Sequence, residues 1–207
     1  MRTLTSTKRD AILQAAVEVF HKEGFEGASM ADIATRVGGS KSTLYRYFGS
    51  KEELFVAVSQ QSAKNLILPS LETLLKSQGK SLSDMLRRFG EVALAVVASE
   101  ASIEATRTVI CEAGRSNIGK LFFEAGPQQA MQSLAGFFQA QMLAGNMRQA
   151  DPQIAVRHLI ALMDSETVFP CLMGLRKELS TAEIKAAVQR AVETFLGGYG
   201  ASKDLRS

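Results

Sequence analysis

The sequence predicts an all-α protein, with a small N-terminal helical domain joined through a long fourth helix to a larger helical C-terminal domain. Two observations carry this reading. Apolar residues recur at three- and four-residue spacing along almost the whole chain, and no stretch alternates as a half-buried strand would. The periodic stretches are also bounded by capping residues, glycines or first-turn prolines. Only 4 prolines occur in 207 residues, so long stretches run without a breaker. A hydrophobic content of 46% suffices for a substantial core, and 22% charged residues argue against disorder.

The first helix is predicted from Thr7 to Glu23, with Ile12, Ala15, Ala16, Val19 and Phe20 on one face. Gly24 ends it as a left-handed cap, and Phe25 folds back. Ser29 caps a short second helix whose apolar face is Met30, Ile33, Ala34 and Val37. Gly38-Gly39 breaks the chain, and Ser40 caps a third helix from Lys41 to Tyr47. Ser50 to Glu53 reads as a capping box that starts the long fourth helix, which turns Leu54, Phe55 and Val58 inward and bends or stops near Pro69. A domain boundary fits within that helix, giving domains over residues 6–66 and 67–200, with Gln78-Gly79-Lys80 as a linker. Further helices are expected over Leu82–Ala98, Ser102–Arg115, Gly119–Ala125, Pro127–Ala144, Pro152–Leu172 and Thr181–Leu196. Their start signals include Ser81 with Asp84, first-position prolines at Pro127 and Pro152, and a capping box from Ser180 to Glu183.

The formal net charge of +3 is compatible with phosphate contact without demonstrating it. Cys111 and Cys171 lack metal-ligand or CxxC spacing, so no metal and no disulfide framework are expected, and the default compartment is a reducing cytoplasm. A redox-sensing role for Cys111 is the minor alternative to an ordinary free thiol. The N-terminus carries Arg2, Lys8 and Arg9 but no apolar signal segment, and the run Val92 to Ala98 is too short to span a membrane. There are two histidines, His21 and His158, and no HExxH, GxSxG or P-loop pattern, so an enzyme is not expected and no cofactor is called for. The Glu52-Glu53 pair is explained by capping.

The segment 29–48 reads as a helix-turn-helix: two helices too short to be stable alone, held at a glycine turn. Leu44 and Phe48, four residues apart, anchor the second helix. Its other side shows Lys41, Ser42, Thr43, Tyr45 and Tyr47, hydrogen-bonding side chains suited to base edges and phosphates in a major groove. Any one of them alone would be an ordinary solvated residue.

From Lys8 to Ala57 the chain resembles the DNA-binding domain of the TetR (AcrR-like) family. The resemblance rests on Ile12-Leu13-Gln14-Ala15-Ala16, Phe20, Gly24-Phe25, the run Ser29 to Ala34, the run Val37 to Phe48, and Ser50-Lys51-Glu52-Glu53-Leu54. The family has Ala-Gly-Val at the turn, and Val37-Gly38-Gly39 departs from it by lacking the last side chain. The resemblance implies that Lys41, Ser42 and Thr43 read bases and nearby phosphates, that Ser40 belongs to the same DNA-binding set, and that Tyr45 and Tyr47 clamp phosphates. It further implies that Ser29 holds a phosphate at the start of the second helix and that Lys51 contacts the DNA backbone.

The resemblance also implies a C-terminal domain that pairs two chains and binds a small-molecule effector. The expected homodimer interface is a four-helix arrangement built on Leu159, Leu162, Ile184, Val188, Ala191, Val192 and Phe195. Burial of the same stripe within its own domain is the alternative. Effector-pocket candidates are Phe89, Val92, Ile110, Met131, Leu134, Phe137, Phe138 and His158, although such a stripe is more often plain core. The tract from Phe122 to Glu166, with Phe123 to Pro127, Phe137-Phe138 and Ala150-Asp151-Pro152, resembles the C-terminal domain of the AefR-like subgroup. The implied function is a regulator of a palindromic double-stranded operator, released by its effector. A ligand-free regulator, an activator of the same fold, and a carrier without DNA binding are the alternatives.

Overall fold

The computed structural model describes residues 5–76 and 81–201. The expected linker Gln78-Gly79-Lys80 lies outside the described residues. Among those residues twelve helices follow one another and no strand forms: α1 (Ser6–Gly27), α2 (Met30–Arg36), α3 (Lys41–Tyr47), α4 (Lys51–Ser59), α5 (Gln61–Lys76), α6 (Leu82–Val97), α7 (Glu100–Glu112), α8 (Ile118–Glu124), α9 (Pro127–Leu143), α10 (Pro152–Ser165), α11 (Val168–Leu172) and α12 (Thr181–Tyr199). The chain divides into two compact units, residues 1–61 with 108–125, and residues 62–107 with 126–207. The single helix α7 contributes residues to both.

The first unit is built from short helices around a small core. Ile12, Ala16, Ile33 and Leu54 are almost wholly buried. Gly24 takes a φ of 70°, which breaks α1 and lets Phe25 turn inward. Phe25 then lies 5.0 Å from Phe55 and 6.2 Å from Phe20, ring centre to ring centre. The segment 108–125, assigned by sequence to the C-terminal domain, supplies α8, which packs on α4 and buries Ile118 completely.

The second unit is a bundle in which α12 packs on α6 and α10, and α10 packs on α9. Phe138, Phe195 and Tyr199 stack in series at 5.2 and 4.8 Å. Gly90 lets α6 approach closely: a Cβ there would lie 2.8 Å from Val188 Cγ1.

Several boundaries differ from expectation for identifiable reasons. The long fourth helix is interrupted at Gln60, whose side chain is buried, and not at Pro69. Proline removes one amide donor, yet α5 continues because Leu71 and Leu74 beyond it are buried. The helix expected to run to Leu172 divides around Thr167, a buried residue whose hydroxyl donates back to the Met163 carbonyl. α12 continues through Gly197-Gly198 because Tyr199 is buried against Phe195. At Ser50 the expected capping box is modified: Ser50 Oγ accepts from the Glu53 amide, but Glu53 accepts from Gly49 N–H.

The expected interface stripe lies largely within its own unit. Leu159, Val188, Ala191, Val192 and Phe195 are each at most 2% exposed and form the core of their own unit, while Leu162 and Ile184 pack half-buried against it. A residue already buried in its own chain has no apolar surface left to bury against a partner. The expected pocket residues are likewise dispersed. Leu134, Phe137 and Phe138 are core, and Phe89 and Met131 pack against it. Ile110 is 61% exposed and belongs to the other compact unit. His158 is exposed and shares a 2.6 Å hydrogen bond with Tyr199. Val92 alone of the set lines an open apolar groove of about 420 Å³, with Leu66, Glu91, Ala95, Val96 and Ser99.

Candidate nucleic-acid interface

The helix-turn-helix is held by contacts that short-range sequence cannot supply. The turn after α2 is closed by Gly38, at φ 67°, and by Gly39 N–H donating to the Ala34 carbonyl at 3.0 Å. From α1, Lys8 Nζ reaches the Val37 carbonyl at 3.2 Å and pins the turn. A Cβ on Gly39 would meet only the end of Lys8, at 3.8 Å, so the glycine here is a tolerated departure and not a steric requirement.

α3 is short, and its ends are fixed separately. At its start Ser40 Oγ accepts from Thr43 N–H at 3.1 Å and lies 2.9 Å from both Ser42 Oγ and Thr43 Oγ1. Leu44 and Phe48 are buried, and the Arg9 guanidinium lies over the Phe48 ring at 5.1 Å. At the far end Tyr47 Oη accepts from the Thr5 backbone N–H at 3.0 Å. That bond is the main cause that lowers the Tyr47 pKa below 10.0. The α1 N-terminus therefore touches the turn, the C-cap and the last tyrosine of α3. Sequence reading missed Thr5 and Lys8. These contacts span 29 residues or more, and no local pattern signals them.

The outward side of α3 presents Lys41, Ser42, Tyr45 and Arg46 exposed, with Thr43 half-buried beside them. Lys41 Nζ lies 5.9 Å from the Tyr45 ring centre. Ser40, Lys41, Ser42, Thr43 and Tyr45 thus come together as one polar, cation-bearing surface. Two other expected residues are engaged elsewhere. Ser29 caps α2 and donates its hydroxyl to the Asp32 carboxylate at 2.5 Å, which places a negative charge where a phosphate was expected. Lys51 Nζ donates to the carbonyls of Phe25, Ala28 and Glu26 at 2.7, 3.2 and 3.4 Å.

Among the described residues no group of three or more His, Cys, Asp or Glu side chains is placed to hold a metal. No helix among them is long and apolar enough to cross a membrane.

Two family profiles match the chain. One describes bacterial regulatory proteins of the tetR family and covers residues 12–58. The other, the C-terminal domain of AefR-like transcriptional repressors, covers residues 84–201. Over 50 residues the chain is 52% identical to the HTH-type transcriptional repressor NicS of Pseudomonas putida, a match covering 24% of each chain. Over 60 residues it is 47% identical to the HTH-type transcriptional activator FasR of Mycolicibacterium smegmatis, covering 29% of this chain and 27% of that one. The matched stretch thus spans about a quarter of the length of these relatives. The solved structure of the flavonoid-responsive regulator FrrA superposes with a TM-score of 0.72 at 28% identity, over 96% of this chain and all of that one.

Proposed function

The chain belongs to the TetR family of DNA-binding transcriptional regulators, and on that premise we propose that it is a homodimeric repressor, released from a palindromic operator by a small-molecule effector. The observation that carries the DNA-binding part is α3 itself, a short helix with a polar outer face whose far end is held by Thr5 and Arg9 at the start of α1, while Lys8 pins the turn before it. In this reading the DNA-binding domain is built on the first unit, with the helix-turn-helix at 29–48, and the ligand and dimerisation domain on the second, so that the sequence-based division at 66/67 moves to 61/62 and 108–125 joins the first. Ser40, Lys41, Ser42, Thr43 and Tyr45 face the duplex. Tyr47 joins them, since its hydroxyl keeps a hydrogen to donate to a phosphate while it accepts from Thr5. Ser29 reaches a phosphate only by giving up its bond to Asp32.

The dimer pairs two recognition helices about 34 Å apart, one turn of duplex. Pairing uses the outward faces of α10 and α12, where Ile154 is 40% exposed, since their inward faces are core. The effector belongs in the second unit at the groove lined by Leu66 and Val92, of a size suited to a small organic molecule. FrrA, whose name records a flavonoid response, supports small-molecule control. The effector acts by preferring the conformer that does not bind DNA. The compartment in this reading is the cytoplasm, and no catalytic step is part of it. Activation is the second reading, favoured by the likeness to FasR, which is named an activator.

The test is binding to the promoter-proximal DNA of the chain's own gene, at two salt concentrations and against non-specific competitor, with Tyr45→Ala/Lys41→Met beside the wild type. Binding that survives competitor, weakens with salt and is lost in the double variant supports the reading. If neither that DNA nor any genomic fragment is selected, the DNA-binding reading fails. A promoter fusion then separates repression from activation.

A further inference from the structure

Lys51 opens α4 at a position where the family resemblance implies a contact to the DNA backbone. Its surroundings indicate a different task. The last turn of a helix leaves its carbonyls without amide donors, and here the kink at Gly24 brings the carbonyls of Phe25, Glu26 and Ala28 together. An ammonium group has three N–H donors, and these three acceptors at 2.7, 3.4 and 3.2 Å take all of them. The Phe25 ring lies 4.4 Å from the same nitrogen and adds a cation–π contact. Phe25 is itself buried in the aromatic trio with Phe20 and Phe55, so the contact reaches the core of the unit. To reach a phosphate, Lys51 would have to release three hydrogen bonds and the ring for one exchange.

We infer that Lys51 is a positioning residue: it ties the C-terminal carbonyls of α1 to the N-terminus of α4, holds the 25–28 segment from which α2 begins, and makes no phosphate contact of its own. On the face of α3 the ammonium of Lys41 is exposed beside the Tyr45 ring.

Two measurements on the full chain test this. The first is lysine-selective 15N NMR of the wild type, without DNA. The inference expects Lys51 ammonium protons that exchange slowly with water and couple to backbone carbonyls. Fast exchange equal to that of Lys41 overturns it. The second rests on the DNA-binding reading and uses a duplex selected by the wild type from a random library. Each phosphate contact contributes about 0.9 to the slope of log affinity against log salt. Lys51→Met is expected to lower the unfolding midpoint and to weaken DNA binding by the same factor at every salt concentration, with the slope unchanged. Lys41→Met is expected to reduce the slope by about 0.9 and to leave the midpoint unchanged. A slope lowered by about 0.9 in Lys51→Met, with the midpoint unchanged, overturns the inference. If Lys51→Met fails to fold, the NMR arm on the wild type decides. If the wild type selects no duplex, the DNA reading fails, and the NMR arm still decides the role of Lys51.

Discussion

Single residues decide the geometry of the α2–α3 turn and the pH response of the second unit. Gly38 sits at φ 67° with open space where a Cβ would go. Any cost of a side chain there is therefore conformational and not steric. Gly38→Ala is expected to lower stability by about 1–2 kcal/mol, measured as a shift in denaturant midpoint. Gly39 lies outside the left-handed region and should tolerate alanine. Asp164 on α10 is desolvated, with no hydrogen bond or ion pair to its carboxyl among the described residues, and burial raises its pKa from 3.8 to about 6. The folded chain then binds more protons than the unfolded one between about pH 4 and pH 6, so stability falls as pH rises through that window. The cost is fully present above about pH 6 and is at most about 3 kcal/mol. Asp164→Asn should raise the melting temperature at neutral pH and flatten its dependence below pH 6. An unchanged profile would mean that this carboxyl is well solvated.

At the scale of elements, termini and close approaches matter most. α12 begins with a complete capping box, in which Ser180 N–H and Oγ both donate to Glu183 while Glu183 N–H donates to Ser180 Oγ. The Ser180 backbone N–H, with the Arg176 guanidinium and the Ser180 hydroxyl, holds the Glu183 carboxyl down at about 2. Its contribution to stability is present above the ordinary glutamate pKa and is lost as pH falls toward 2. The packing of α6 on α12 depends on Gly90. Alanine would gain about 1 kcal/mol of helix propensity, but its Cβ would fall 2.7 Å from Met163 Cε and 2.8 Å from Val188 Cγ1. The methionine end can swing aside; the β-branched valine cannot. Gly90→Ala is therefore expected to be destabilising overall, since overpacking typically costs about 1–3 kcal/mol. A rise in midpoint would show that α6 and α12 can separate at no cost.

For the whole molecule the proposed pairing is read from the mass in solution, against 22.4 kDa for one chain. Sedimentation is expected to give about twice that mass. Phe195 is 1% exposed within its own unit, so Phe195→Ala should cost about 3–5 kcal/mol of unfolding free energy whatever the oligomeric state. Ile154→Asp, at an exposed position on α10, should instead yield a folded monomer with unchanged helical content. The opposite pattern, a folded monomer from Phe195→Ala, would restore the original stripe as the interface.

By itself the sequence determined the helices and where most of them begin. Caps are chemistry within four residues, and Ser29, Ser40, Ser50, Ser81 and Ser180 each accept the amide their position predicts. It also determined the apolar faces and, on α3, that Lys41, Ser42 and Tyr45 point outward, because periodicity separates one side of a helix from the other; Arg46 was not among the residues it put there. Only the tertiary structure decided which surface each apolar face covers. Periodicity marks Val188 and Phe195 as facing inward without saying whether inward means the same chain or a partner, and packing assigned them to the same chain. Only the tertiary structure likewise decided what a long polar side chain does with its donors. Lys51 and Lys41 are the same residue at equivalent helix starts, but a kink 27 residues before Lys51 set three carbonyls beneath its ammonium, whereas Lys41 remained exposed to solvent.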